Sequence, residues 1–193
     1  MLRIAFTGHR KDKLNLYTHP QNELKICLEL YKVLLGIIKD NQGCDFEFIS
    51  GGAIGLDQIA FEVVNKIKVM NRDINITNVI SIPFKNQYIV WSKEEQSRYF
   101  ECLKLADEII YVDTLEQYKI KGLIQGEYHP AKMQMRNRHM VDNCDILIAL
   151  WDGSKGGTKN CINYAKKQKD VNIIYLDGIF WLIMQYIFRK YLK

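Results

Sequence analysis

The sequence predicts an α/β fold: a single doubly wound domain with a mainly parallel sheet covered by helices on both faces. Three observations predict it. Short apolar runs alternate along the chain with longer amphipathic stretches. The short runs are continuously apolar, as expected of strands buried on both faces. A length of 193 residues, without an internal repeat, low-complexity tract or linker, fits one core over 1–193.

Leu2–Thr7 reads as the first strand and Gln21–Lys39 as a helix, with Leu24, Leu28, Tyr31, Leu35 and Ile38 at helical spacing. Phe46–Ser50 is a second strand, followed by a helix from Gly55 to Val69. Asn78–Ile82 is a third, ended by Pro83. The helix over Ser92–Leu105 opens on a capping box, Ser92 being the N-cap and Glu95 its partner. Glu108–Val112 is a fourth strand, and the loop from Asp113 to Pro130 is long enough to suggest function. Ala131–Asn143 is helical, Asp145–Trp151 is a strand, Thr158–Gln168 is a helix capped by Thr158, and Asn172–Leu176 is the last strand. A C-terminal helix over about 179–192 is expected to pack on the core or on a partner subunit. Its apolar run is too short to span a bilayer, so no membrane is expected.

Composition narrows the function classes. The 27 Lys and Arg against 22 Asp and Glu give a net charge of +5, with no run of like charges. Such a charge suits a phosphate-bearing ligand and equally a plain globular protein. Nucleic acid is not expected as a partner, because clustered Lys/Arg interleaved with aromatics is missing. The 5 cysteines (Cys27, Cys44, Cys102, Cys144, Cys161) are scattered without a CxxC pair, which points to reduced thiols in the cytoplasm. The histidines have no HExxH spacing, and no metal is expected.

In a doubly wound sheet, ligands bind beyond the carboxyl ends of the strands, where strand order reverses. Three strand ends carry the unusual residues: Thr7-Gly8-His9-Arg10, then Gly51-Gly52-Ala53-Ile54-Gly55-Leu56-Asp57, then Trp151-Asp152-Gly153-Ser154-Lys155-Gly156-Gly157-Thr158. Glycines let backbone N–H groups approach a ligand closely, and the positive end of the following helix points to the same place. Two such loops on one sheet suit phosphate better than either alone. Neither is the GxGxxG fingerprint or the P-loop.

On the helix over Ala131–Asn143, Lys132, Arg136 and His139 share one face, while Met133, Met140 and Val141 lie on another. The apolar side is expected to pack on the sheet, leaving Lys132 and Arg136 to reach ligand phosphates. Trp91 and Tyr88 either stack on a base or simply pack. Asp57, Glu62, Glu127 and Asp152 are carboxylates that could lie near the cleft.

These motifs resemble those of the SLOG superfamily, which groups DprA-like proteins with LOG-type phosphoribohydrolases, and most of all its YpsA-like branch in Gram-positive bacteria and their phages. The carriers are Phe6-Thr7-Gly8-His9-Arg10, Gly51-Gly52-Ala53-Ile54-Gly55-Leu56-Asp57, Arg136-Asn137-Arg138-His139-Met140-Val141-Asp142, and Asp145–Trp151 running into Gly156-Gly157-Thr158. The resemblance implies a Rossmann-like fold, a nucleotide-derived ligand such as ADP-ribose, an NAD-like molecule or a cyclic nucleotide, and a homodimer. LOG enzymes carry GGxGTxxE, with a catalytic glutamate. Aligning Gly157-Thr158 with the GT places Cys161 at the glutamate, and a thiol cannot do a carboxylate's work there.

The leading expectation is therefore a sensor or sequestering module that needs no cofactor and binds a nucleotide derivative. Its ligand-binding residues are Thr7, Gly8, His9, Arg10, Gly51, Gly52, Ala53, Gly55, Asp57, Lys132, Arg136, Asp152, Gly156, Gly157 and Thr158. One alternative is a nucleotide N-glycosidase using Asp57, Glu127 or Asp152 as its catalytic carboxylate. Another is DprA-like binding of single-stranded DNA.

Overall fold

A computed structural model describes residues 1–176, so the C-terminal helix expected over about 179–192 lies outside the described residues. The elements are β1 (Leu2–Gly8), α1 (Gln21–Asp40), β2 (Phe46–Ser50), α2 (Leu56–Met70), β3 (Ile76–Ile82), α3 (Lys93–Leu105), β4 (Glu108–Tyr111), α4 (Pro130–Asp142), β5 (Ile146–Leu150), α5 (Gly157–Ala165) and β6 (Asn172–Tyr175).

The six strands form one sheet in the order β4-β3-β2-β1-β5-β6, and every pairing is parallel. From β1 the chain winds outward to β4, then returns past β1 to place β5 on its other side. The reversal of strand order therefore lies between β1 and β5, which pair from Ile4↔Ile146 to Gly8↔Leu150.

Side-chain alternation along the strands builds the two layers. Ile4 and Phe6 of β1 and Phe46 and Phe48 of β2 meet Ile26, Leu30 and Leu34 of α1 and Ile59, Val63 and Ile67 of α2. On the opposite face Ala5, Ile49, Val79 and Leu147 meet Met140 and Val141 of α4 and Cys161 and Ala165 of α5. Phe61, Ile80, Ile82 and Tyr99 extend the first layer under α3. Arg98 ties that layer together, bonding Glu62 of α2 at 2.7 Å and Glu23 of α1 at 2.6 Å.

The expected capping box is present: the Ser92 hydroxyl accepts from the Glu95 amide, and the Glu95 carboxylate accepts from the Ser92 amide. Ser92→Ala is expected to cost about 1 kcal/mol, read as a lower urea midpoint with unchanged slope.

Three local expectations are corrected. The stripe proposed for α1 is offset: Ile26, Leu30, Leu34 and Ile37 face the sheet, while Leu24 and Leu28 are exposed, because the helix carries two apolar rows and the sheet takes the other. Thr158 is not the cap of α5. The cap is Gly156 at φ 150°, which puts Thr158 inside the first turn. The loop between β4 and α4 holds short 3-10 turns at Val112–Thr114 and Glu116–Tyr118.

Candidate functional site

The crevice at the strand-order reversal holds a cleft of about 330 Å³. Thr7, Gly8, His9 and Arg10 line it from the end of β1, Ala53 and Asp57 from the start of α2, Arg136 from α4, and Gly156, Gly157 and Thr158 from the start of α5. Sequence segments far apart in the chain thus share one crevice, because their strands end side by side. The first turns of α2 and α5 both open there, and first-turn amides have no intrahelical acceptor.

The Gly51-Gly52 turn acts behind the cleft wall. A Cβ on Gly51 would sit 1.0 Å from Nη1 of Arg136 and 2.4 Å from Oδ2 of Asp57. Glycine is required there so that the guanidinium can lie against the backbone. Nη1 of Arg136 donates to Oδ2 of Asp57 at 2.7 Å, and both side chains are buried. The amide of Ala53 donates to the same oxygen at 3.3 Å, fixing the carboxylate across the turn. Nε of Arg136 is buried and makes no hydrogen bond among the described residues. Gly52 lies behind the turn against Ile80 and Gln87. Gly55, at φ 108°, passes so close to the main chain of His9 and Arg10 that a Cβ would come 2.5 Å from the His9 carbonyl oxygen.

The wall across from Arg136 is built on His9. Its Nε2 lies 2.8 Å from Oδ1 of Asp152 and 3.2 Å from the Asp152 amide nitrogen. An ionised carboxylate can only accept, which assigns the ring proton to Nε2 and leaves no lone pair there for the amide to donate to. Burial drives the His9 pKa below its ordinary value, outweighing the pull of Asp152, so the ring is neutral at pH 7. Burial alone would raise Asp152. Hydrogen bonds from Ser154 and the nearby His9 outweigh it and hold the carboxyl down to about 2. Lys13 closes the same wall, donating to the Ser154 hydroxyl at 2.7 Å and to the Lys155 carbonyl at 3.3 Å. Arg10 is exposed, and its side chain makes no hydrogen bond or ion pair among the described residues.

Other expected residues lie elsewhere. On α4 the face bearing Lys132, Arg136 and His139 is itself buried, against the expectation of an open basic face. Lys132 spends its three donors on Asp113 (2.9 Å), the Ile124 carbonyl (2.6 Å) and the Glu127 carbonyl (2.9 Å), pinning the loop before α4. His139 bonds the Ser81 hydroxyl at 2.8 Å, and Met133 of the supposed apolar face lines the cleft. Glu127 is exposed and outside the cleft lining. Glu62 is taken by Arg98. Tyr88 and Trp91 pack on Tyr99, at ring-centroid distances of 5.9 and 5.3 Å. The Cys161 side chain is buried between α5 and the sheet, where burial pushes its thiol up to about 11. The position aligned with the glutamate of LOG enzymes thus holds a neutral core side chain.

Sequence reasoning missed Lys13, Asn137 and Lys155, all of which line the cleft. Lys155 stood inside a recognised loop, and Asn137 inside a recognised motif. Lys13 carried no local signal, because its partners are more than a hundred residues away in the chain.

A parallel sheet with glycine turns converging on a crevice at its strand-order reversal defines a Rossmann-like domain. The chain belongs to the YspA SLOG family (YpsA), whose model matches residues 4–179. It is 44% identical over 142 residues to the SPbeta prophage-derived protein YoqJ of Bacillus subtilis, covering 72% of this chain and 82% of that protein. It is 24% identical over 189 residues to the UPF0398 protein BH1768 of Halalkalibacterium halodurans, covering 94% of this chain and 92% of the relative. Among solved structures, DNA processing protein A of Streptococcus pneumoniae shares the fold at TM-score 0.54 and 15% identity. That match covers 96% of this chain but only 56% of that protein. DNA processing protein A of Helicobacter pylori, described by its single-stranded DNA binding mode, matches at TM-score 0.52 and 16% identity, covering 95% of this chain and 72% of that one.

The expectation that set nucleic acid aside as a partner is corrected by this likeness. A protein built on this fold binds single-stranded DNA, so a modest net charge does not exclude nucleic acid. No helix among the described residues is long and apolar enough to cross a membrane.

Proposed function

We propose that the chain binds a phosphate-bearing nucleotide in the crevice between β1 and β5, as a sensor or sequestering module. The observation that carries this reading is Arg136. Its guanidinium is buried and held by Asp57 through Nη1 alone, while the unpartnered Nε keeps a donor unspent in a side chain that lines the cleft. Unpaired buried donors are costly, and an anion would satisfy this one. Arg10, also unpaired, and the first-turn amides of α5 supply further donors to the same crevice. ADP-ribose, an NAD-like molecule or a cyclic nucleotide would each present phosphates to these groups.

A single-stranded nucleic acid is the second reading, and it stands level with the first. It is favoured by the fold shared with the Helicobacter protein and by Tyr128. That ring is 68% exposed and held edge-on by Phe84 at 5.9 Å, a platform on which a base could stack.

Thermal denaturation against nucleotides, NAD, ADP-ribose, cyclic nucleotides and a thymidine oligonucleotide separates the two. A mononucleotide-sized ligand that raises the Tm supports the first reading by mass action. A rise with the oligonucleotide alone, falling steeply with salt, supports the second. No rise with any of them overturns both. Arg10→Ala is expected to weaken the bound ligand about tenfold while leaving the unliganded Tm unchanged, since this side chain is exposed and unpaired.

A further inference from the structure

The carboxylates that could serve hydrolysis are committed or remote. Asp57 holds Arg136, Asp152 holds His9, and Glu127 is outside the cleft lining. Asp12 also lines the cleft, on the exposed loop after β1, and the buried side chain there with free acid–base capacity is His9. It is buried at the end of β1 and lines the cleft. Asp152 fixes its ring through Nε2, and Asp152 is fixed in turn by the Ser154 amide at 2.9 Å. Nδ1 makes no hydrogen bond among the described residues and is not sealed from solvent. A carboxylate orienting one ring nitrogen while the other keeps an unspent lone pair, on a side chain that lines a cleft, is an arrangement suited to a general base.

The cleft's charge selects the bond. Arg10, Lys13, Lys155 and Arg136 line it against Asp12 and Asp57, and with two helix N-termini the balance is positive. Positive surroundings oppose the cationic transition state of N-glycosidic cleavage and stabilise charge on phosphoryl oxygens. A phosphate leaves as an anion without being protonated, whereas an alkoxide needs an acid.

We propose, resting on the small-nucleotide reading of this cleft, that the chain hydrolyses a phosphoanhydride bond of its ligand, with His9 as general base and Asp152 as its positioning residue. Nδ1 takes a proton from a water whose oxygen forms the new bond to phosphorus. The P–O bond of the anhydride breaks, and its electron pair leaves on the departing phosphate. Deprotonation of the imidazolium by solvent restores the base.

The test incubates the full chain with ADP-ribose, NAD and ATP, with magnesium present. Products are resolved by chromatography, and binding of the same probes is followed by Tm. Phosphoanhydride products from at least one bound probe are expected. His9→Gln should turn that probe over 10²–10⁴-fold more slowly at saturating concentration, with its occupancy followed separately by Tm. The rate should fall with acid as His9 protonates. The charged groups facing the ring are Asp152 across the wall and Asp12 and Lys13 from its own loop. Asp152→Asn, which removes the negative charge beside the ring, should move that inflection as well as lower the rate, an effect that a merely structural role would not produce. Binding without turnover, release of free base instead, or turnover unchanged in His9→Gln would each overturn the proposal while leaving nucleotide binding standing. No Tm rise with these probes or with cyclic nucleotides would overturn the reading it rests on.

Discussion

Gly51→Ala is expected to destabilise the protein by about 3–5 kcal/mol and to abolish ligand binding, although alanine is otherwise a mild replacement. The added methyl would sit 1.0 Å from Nη1 of Arg136, so the guanidinium must leave the place that the glycine keeps open. Its departure strands Asp57 in the protein interior with only the Ala53 amide at 3.3 Å as partner. Breaking a buried ion pair by losing one side has that order of cost, because a buried charge is left uncompensated. Arg136→Met should cost a similar amount for the same reason. Arg136→Met combined with Asp57→Asn should recover part of it, since the double change leaves no charge behind. Urea denaturation of the four proteins checks the coupling. If the Gly51 variant matched wild type in midpoint and binding, the close approach of Arg136 would not be what holds this wall together.

That interaction shows what could be read from the sequence. The strands were legible because each is a short, mainly apolar run, and the starts of α2, α3 and α5 because a glycine or the Ser92–Glu95 box announces them locally. The site loops were legible as glycine clusters at strand ends, and the parallel order placed them together. What was not legible were pairings across the chain. Gly51 read as a phosphate turn, yet its position is required by a side chain 85 residues later, because the contact exists only once α4 lies against β2. Asp57 and Asp152 read as free carboxylates, whereas each is spoken for by a residue on another element. Helical spacing placed Lys132, Arg136 and His139 on one face but could not say that this face turns inward. Buried basic side chains are rare without partners, and here each has a partner that the sequence puts elsewhere.

Lys132 makes that distinction testable. Sequence reasoning gave it to the ligand, while the structure gives its ammonium to Asp113 and two loop carbonyls, with Phe84 below at 5.7 Å. Asp113 is also buried, and its other partner is the Gly126 amide at 2.7 Å. Lys132→Met should therefore leave an unpaired interior carboxylate and lower stability by about 3–5 kcal/mol. The loss should be local first, because the segment between β4 and α4 depends on this pin more than on apolar packing. Limited trypsin digestion would report it as faster cleavage at Lys119 and Lys121 at temperatures where the rest of the chain resists. Adding Asp113→Asn should slow that cleavage again, since a neutral amide can accept from Gly126 without a counter-ion. The ligand that raises the wild-type Tm should still bind Lys132→Met below its melting range, because no donor of Lys132 is available to the cleft. A variant that kept its Tm and protease resistance but lost affinity would return Lys132 to the ligand and place the loop before α4 in the binding site.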